Sequence, residues 1–186
     1  MSQLLSISIP SWLDEIVAAN SFAWSSDEAR MRLAIRLSQE NVERGGGPFG
    51  AAVFAGDELV AAGVNRVLDC GLSIAHAEIV ALMRAQTERP GQPRAAWTLY
   101  SSTEPCCQCF GALIWSGVTR LVCGAATSDA EAVGFDEGPK PDAWPTTLEK
   151  RGIGVKLEVC RDEARAVLQD YQRRGGTIYG LRGSGS

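Results

Sequence analysis

The chain has a single histidine, His76, and thirty residues further on a pair of cysteines, Cys106 and Cys109, three positions apart. A fold that uses these three side chains together must bring two distant segments to one point. One imidazole with two thiolates is the donor set of a zinc site that keeps a position open for water. The spacing of three puts Cys106 and Cys109 on one face of a helical turn. Pro105 suits the start of that turn, and thiolates there gain from the positive end of the helix dipole. Glu78 follows His76 by two and leaves the histidine's face. It can therefore move protons beside a metal that His76 holds. A closed structural site would need a fourth protein ligand. Cys107 is the residue at hand, but its side chain leaves the face shared by Cys106 and Cys109. A bare C-x-x-C also suits redox chemistry, so the joint pattern carries the reading.

The length of 186 residues suits one domain with a sizeable core, read here as 1–186 with an N-terminal arm over 1–24 and a tail over 173–186. A net charge of −4 argues against a phosphate-rich partner such as transfer RNA or DNA, which basic surface would recruit. Six cysteines without an apolar leader read as a reducing, cytoplasmic compartment. No run approaches 18 apolar residues, so no membrane span is expected.

In the arm, Trp12, Leu13, Ile16 and Val17 fit a brief amphipathic helix. Ser25 with Glu28 suggests a capping box. Met31, Ala34, Ile35, Leu37 and Ser38 carry that helix toward Val42, and Gly45-Gly46-Gly47-Pro48 ends it. No G-K-[ST] follows, so the glycine run is not a phosphate loop. It reads as a tight turn that lets Phe49 approach a pocket, or as a lead into ordinary core. Residues 49–55 and 58–64 predict a hairpin around Gly56-Asp57. Asn65 has a donor and an acceptor for a ring edge, or it satisfies its own turn.

Residues 73–89 predict a helix with Ile79, Leu82, Met83 and Gln86 at helical spacing. Gly91-Gln92-Pro93 closes it. A strand over 97–101, extended by Ala95 and Ala96, delivers the chain to Cys106. Phe110, Leu113 and Ile114 give the next helix its core face, Gly117 stops it, and 119–124 forms a strand. This strand-helix-strand rhythm implies a parallel, right-handed crossover. Residues 125–147 form a long punctuated loop, whose Phe135 and Glu137 suit a pocket wall and its polar floor. A short helix over 147–151 and a strand over 154–160, with Val155, Leu157 and Val159 inward, precede a helix capped by Asp162. The tail offers Ile178, Tyr179 and Leu181 as anchors, either loose or closing a pocket of this chain or a neighbour.

Taken together, the chain resembles the cytidine deaminase-like superfamily and, within it, the bacterial guanine deaminases. The general signature is His76-Ala77-Glu78 with Pro105-Cys106-Cys107-Gln108-Cys109. The narrower likeness rests on Gly47-Pro48-Phe49, Asn65-Arg66-Val67, Ile114-Trp115-Ser116-Gly117 and Gly134-Phe135-Asp136-Glu137-Gly138-Pro139, and spans roughly residues 25–182. The spacer residues Cys107 and Gln108 are less usual. The resemblance implies a three-layer α/β/α fold around a central mixed five-stranded sheet. It implies one zinc per subunit on His76, Cys106 and Cys109, with Glu78 shuttling protons and Glu137 contacting the guanine edge and assisting. Phe49, Asn65, Ala77, Phe135 and Tyr179 would bind substrate, and the enzyme would be a homodimer turning guanine into xanthine and ammonia. Rival readings are a deaminase of another amino-heterocycle (ammeline or another triazine, a modified purine, guanosine or cytosine), a transfer-RNA adenosine deaminase, and a non-enzymatic zinc module.

Overall fold

A hairpin seeds the sheet. Strands β1 (Gly50–Ala55) and β2 (Glu58–Val64) pair antiparallel from Ala55 opposite Glu58 to Gly50 opposite Val64, with one irregularity between Val53 and Phe54. On its other edge β1 pairs antiparallel with β3 (Trp97–Thr103), Val53 lying opposite Leu99. Strand β3 runs parallel to β4 (Arg120–Ala125), and β4 parallel to β5 (Gly154–Lys156). The order is β2-β1-β3-β4-β5, a mixed five-stranded sheet. The computed structural model describes residues 6–19, 24–91 and 97–179. Expectations for residues 1–5 and 20–23 of the arm, the Gln92-Pro93 turn, the Ala95-Ala96 extension and Leu181 with the rest of the tail fall outside them.

Because successive strand side chains point to opposite faces, the sheet builds two cores. Ala52, Phe54, Tyr100 and Val122 face the first, with α1 (Ser11–Ala19), α2 (Asp27–Glu43), α6 (Thr127–Ala132) and α8 (Arg161–Arg173) packed over them. Ala51, Val53, Leu99, Leu121 and Cys123 face the second, under α4 (Ala77–Glu88), α5 (Cys107–Ser116) and α7 (Trp144–Glu149). Helices on both faces of a mixed sheet make the three-layer α/β/α arrangement. Each fully buried Leu or Phe contributes about 1.5–3 kcal/mol to it. The far end of α2 is pinned by charge: Asp27 accepts from Arg120 at 2.7 Å, Lys156 at 2.8 Å and the Tyr100 hydroxyl at 2.7 Å. Among the described residues no helix is long and apolar enough to cross a membrane.

Several local expectations are corrected. The cap of α2 is Ser26, whose Oγ accepts from Ala29 N at 3.2 Å, one residue later than Ser25. Helix α4 starts at Ala77, not at 73. Turns through Ala75 N to Leu72 O and His76 N to Ile74 O occupy the preceding stretch, and His76 is an extended N-cap. Met83 is half exposed, and Val80, Ala81 and Ala85 supply the buried face beside Leu82. A short helix, α3 (Val67–Cys70), follows β2. The 125–147 stretch contains α6 and the start of α7, which begins at Trp144 rather than 147. Strand β5 is only three residues long. Leu157 is exposed, because the chain leaves the edge of β4 and returns only through Val159 N to Cys123 O. Cys160, in a left-handed conformation, caps α8 in place of Asp162.

One contact couples sheet and site. A Cβ at Gly63 would stand 2.6 Å from Ala77 O and 2.5 Å from Ala81 N, both backbone atoms of α4. Only glycine lets β2 approach the helix that starts beside His76 and carries Glu78. Gly63→Ala should cost about 1–3 kcal/mol of stability by overpacking and should loosen zinc binding, read by thermal melting and by zinc content after mild chelation.

Candidate metal centre and cleft

Helix starts deliver the candidate ligands. His76 is the N-cap of α4 and Cys106 the N-cap of α5, each extended, while Cys109 sits buried in the first turn of α5. Cys106 Sγ lies 3.4 Å and Cys109 Sγ 3.6 Å from His76 Nδ1. All three donor atoms fall within 4.8 Å of one another. Cys107 points elsewhere, its thiol packed beside Gly138, and is not part of this cluster. Three converging soft donors with no fourth protein ligand among the described residues fit a zinc ion that keeps a corner for solvent. A hydrogen bond from Cys109, with His76 beside it, pulls the Cys106 thiol down to about 4, while Cys109 is held well above its ordinary range. Among the protein groups alone, one thiol of the pair ionises first; zinc would deprotonate both.

Around the cluster lies a small cleft lined by Phe49, Asn65, His76, Glu78, Glu104, Cys106, Phe135, Asp136, Glu137 and Tyr179. Glu78, 6% exposed in the first turn of α4, accepts from Ser101 Oγ at 3.2 Å. Burial, and after it the Cys106 charge, pushes its carboxyl above the usual range. Glu137, also 6% exposed, is pushed up to about 8, chiefly by burial and then by Cys106, and its Oε2 has no hydrogen-bond partner. Asn65 accepts from Val67 N through Oδ1 at 3.1 Å and leaves its buried Nδ2 unpaired.

Phe135 stands edge-on to Phe49 with centroids 4.9 Å apart and edge-on to Tyr179 at 5.2 Å. The Tyr179 hydroxyl is buried without a partner and lies where a side chain on Gly47 would stand. In this chain the described part of the tail reaches its own cleft. Ala77, buried at the first position of α4, packs with the second core. The cleft thus gathers every sequence-predicted site residue except Cys109 and Ala77, which sit directly behind it. Ser101 lies beyond the sequence reading, and Glu104 and Asp136, which immediately precede Pro105 and Glu137, carry no site role there. Ser101 could have been found only by alternation along β3, and Glu104 by its place next to Pro105.

Residues 24–125, more than half of the chain, match the family model of the cytidine and deoxycytidylate deaminase zinc-binding region. The chain belongs to this family. The deaminase is similar along most of its length to a solved guanine deaminase from Nitrosomonas europaea, at 43% identity and a TM-score of 0.83, covering 93% of this chain and 98% of that one. A mutant solved in complex with 8-azaguanine is 44% identical, with a TM-score of 0.83 over 92% of this chain and 98% of the other. A tRNA-specific adenosine deaminase of Buchnera aphidicola subsp. Schizaphis graminum is 30% identical over 145 residues, 78% of this chain and 93% of that protein. With its His/Cys/Cys site for one zinc ion per chain, this deaminase is a zinc-dependent aminohydrolase.

Burying an unpartnered carboxylate has a consequence for stability. The Glu137 carboxyl favours the folded state below its ordinary value of 4.5, and that contribution is lost as the pH rises through about 8. In chelator-treated protein, Glu137→Gln should therefore gain stability over wild type as the pH goes from 5 to about 8. Paired urea titrations at the two pH values check this.

Proposed function

We propose that this deaminase converts guanine to xanthine and ammonia. One observation carries the reading: a buried carboxylate, Glu137, keeps an unpaired oxygen in the same cleft as the unpaired Asn65 amide and the zinc ligands. Guanine presents N–H donors beside ring acceptors, and such a pair of protein groups suits that edge. The likeness to guanine deaminases supports the same substrate. Among the described residues the cleft is lined by four carboxylates and no lysine or arginine, which favours a neutral free base over a phosphate-bearing nucleotide or an RNA.

On this reading His76, Cys106 and Cys109 hold the metal. Zinc would supply Lewis acidity and an acidified water. Glu78 takes one proton of the attacking water, which adds to C2 of the ring, and passes it to a ring nitrogen. It then carries the proton left on the added hydroxyl to the amine, so that C2=O forms as the C2–N bond breaks and ammonia leaves. Its raised pKa fits a group that must both accept and return a proton. Ser101 holds one oxygen of Glu78 in place. Phe49 and Phe135 flank the ring, Asn65 donates to a ring acceptor through Nδ2, and Glu137 accepts from ring N–H. The Tyr179 hydroxyl closes the edge nearest the tail, and Ala77 backs the site from the start of α4. A kinetic panel of guanine, ammeline, guanosine, cytosine and adenine on zinc-replete protein is the direct test, with guanine expected to give the highest kcat/KM. Glu78→Gln should keep one zinc per chain and lose at least about a hundredfold in kcat. A preference for adenine or cytosine, or near-normal turnover by Glu78→Gln, would overturn the assignment.

The same reading makes the enzyme a homodimer. Met83 on α4 and Trp115 on α5, the latter 84% exposed, form an apolar outer surface with Ile79 and Ala112, the kind of surface that a second copy would cover. Light scattering should give the mass of two chains, and Trp115→Glu should shift it toward one.

A further inference from the structure

The segment that brings Glu137 to the cleft, residues 134–143, lies between α6 and α7 and belongs to neither a helix nor a strand. A buried carboxylate without a partner tends to move back toward solvent. Something must hold this stretch against the metal turn. Two backbone ties contribute: Phe135 N donates to Ala130 O at 3.1 Å, and Cys107 N donates to Glu137 O at 2.8 Å. Among the described residues, Lys140 is the only one of 138–143 whose side chain hydrogen-bonds another part of the chain.

Lys140 Nζ donates to Pro105 O at 2.7 Å and to Thr127 Oγ1 at 2.8 Å, and it lies 5.3 Å from the centroid of the Trp144 ring. Pro105 immediately precedes the candidate ligand Cys106. Thr127 is the first residue of α6 and is itself fixed, since its N and Oγ1 both donate to Glu104 Oε2, at 3.0 and 2.6 Å. Trp144 opens α7 and is buried in the second core. One ammonium therefore joins three rigid points to a segment with no regular structure of its own. A lysine in this position spends its charge on a carbonyl, a hydroxyl and an aromatic face.

We propose that Lys140 is a positioning residue that fixes the distance between Glu137 and the metal turn, and through it the selection of the ring edge. This rests on the reading of Glu137 as the group that accepts from guanine. Lys140 does not line the cleft; it acts through the segment that carries Glu137, and its charge also opposes part of the upward push that burial gives the Glu137 carboxyl. Small displacements of such a group are costly, since a shift of about 1 Å in a reacting site can lose a hundredfold in rate.

The test is a double-mutant cycle on zinc-replete enzyme, using Lys140→Met, Glu137→Gln and the double variant, with Lys140→Arg as the conservative replacement. Lys140→Met keeps the chain length and removes the charge and every donor. Its zinc content should stay at one per chain while kcat/KM for guanine falls roughly ten- to a hundredfold, with KM rising more than kcat falls. Lys140→Arg should recover part of the loss. In the Glu137→Gln background Lys140→Met should cost nothing further, because the group it positions is already gone. An equal loss in both backgrounds overturns the proposal, and so does an unchanged kcat/KM in Lys140→Met alone. If Glu137→Gln alone leaves guanine kinetics unchanged, the reading of Glu137 fails first and the proposal falls with it. A lysine that merely stiffened the fold would lower the melting temperature of both backgrounds and leave no coupling in the cycle.

Discussion

The structure depends on two helix starts meeting at one point. His76 ends a turn and opens α4, and Cys106 follows the end of β3 and opens α5. The helices lie side by side on one face of the sheet, and Gln108 on α5 reaches Ile74 O ahead of α4. Neither helix has a side-chain cap at that end. Both dipoles therefore present positive ends near the thiolates, which favours ionised sulfur and a dication between the two segments. The sheet sets the spacing: β3 leads into α5, and β2 lies close under α4 because Gly63 carries no side chain.

That arrangement leaves a site that is expensive to keep. Among the described residues the buried side-chain polar atoms without a partner are Ser38 Oγ, Asn65 Nδ2, Glu137 Oε2 and Tyr179 Oη. Three of the four line one cleft. Each such group costs roughly 1–3 kcal/mol relative to a paired one, so the cluster would be selected against in a chain that had only to fold. Two continuous apolar cores, one on each face of the sheet, offset that cost. Concentrating orphaned donors and acceptors beside a metal-binding cluster is how a fold stores recognition for a polar ring.

Much of this was legible in the sequence. The hairpin is spelled by two apolar runs around Gly56-Asp57, and the observed strands end within a residue of that pattern. The metal cluster is spelled by the lone histidine and the cysteine pair. The parallel crossover follows from a strand, a helix with one apolar face and a second strand. What escaped reading depends on tertiary contact. The stretch before His76 has helical composition, yet backbone turns hold it extended so that the imidazole can face the cysteines. Leu157 reads as inward by alternation, but β5 is an edge strand whose ladder ends at Lys156. Met83 reads as core by spacing, but the second core lies under the Ala77, Ala81 and Ala85 side of α4. Ser101 and Lys140 are a serine in a strand and a lysine among prolines. Only the distances to Glu78, Pro105 and Thr127 give them a part.

The polarity of the cleft is set by backbone geometry as much as by residue type. An asparagine amide offers both a donor and an acceptor, and either end could in principle face a ligand. Here Val67 N, at the start of α3, donates to Asn65 Oδ1. Turning the amide over would set its NH₂ against that N–H, so the network fixes the assignment. Asn65 is thereby left with a donor alone facing the cleft. Burial favours the protonated form of Glu137, but a ring N–H set against it favours the ionised one, which is an acceptor alone. A ring edge that offered only acceptors would satisfy Asn65 and repel Glu137, while one with only donors would do the reverse. The proposed substrate edge, with N–H groups beside a ring acceptor, satisfies both. The short helix α3, invisible to sequence patterning, thus decides which half of a side chain the ligand can meet.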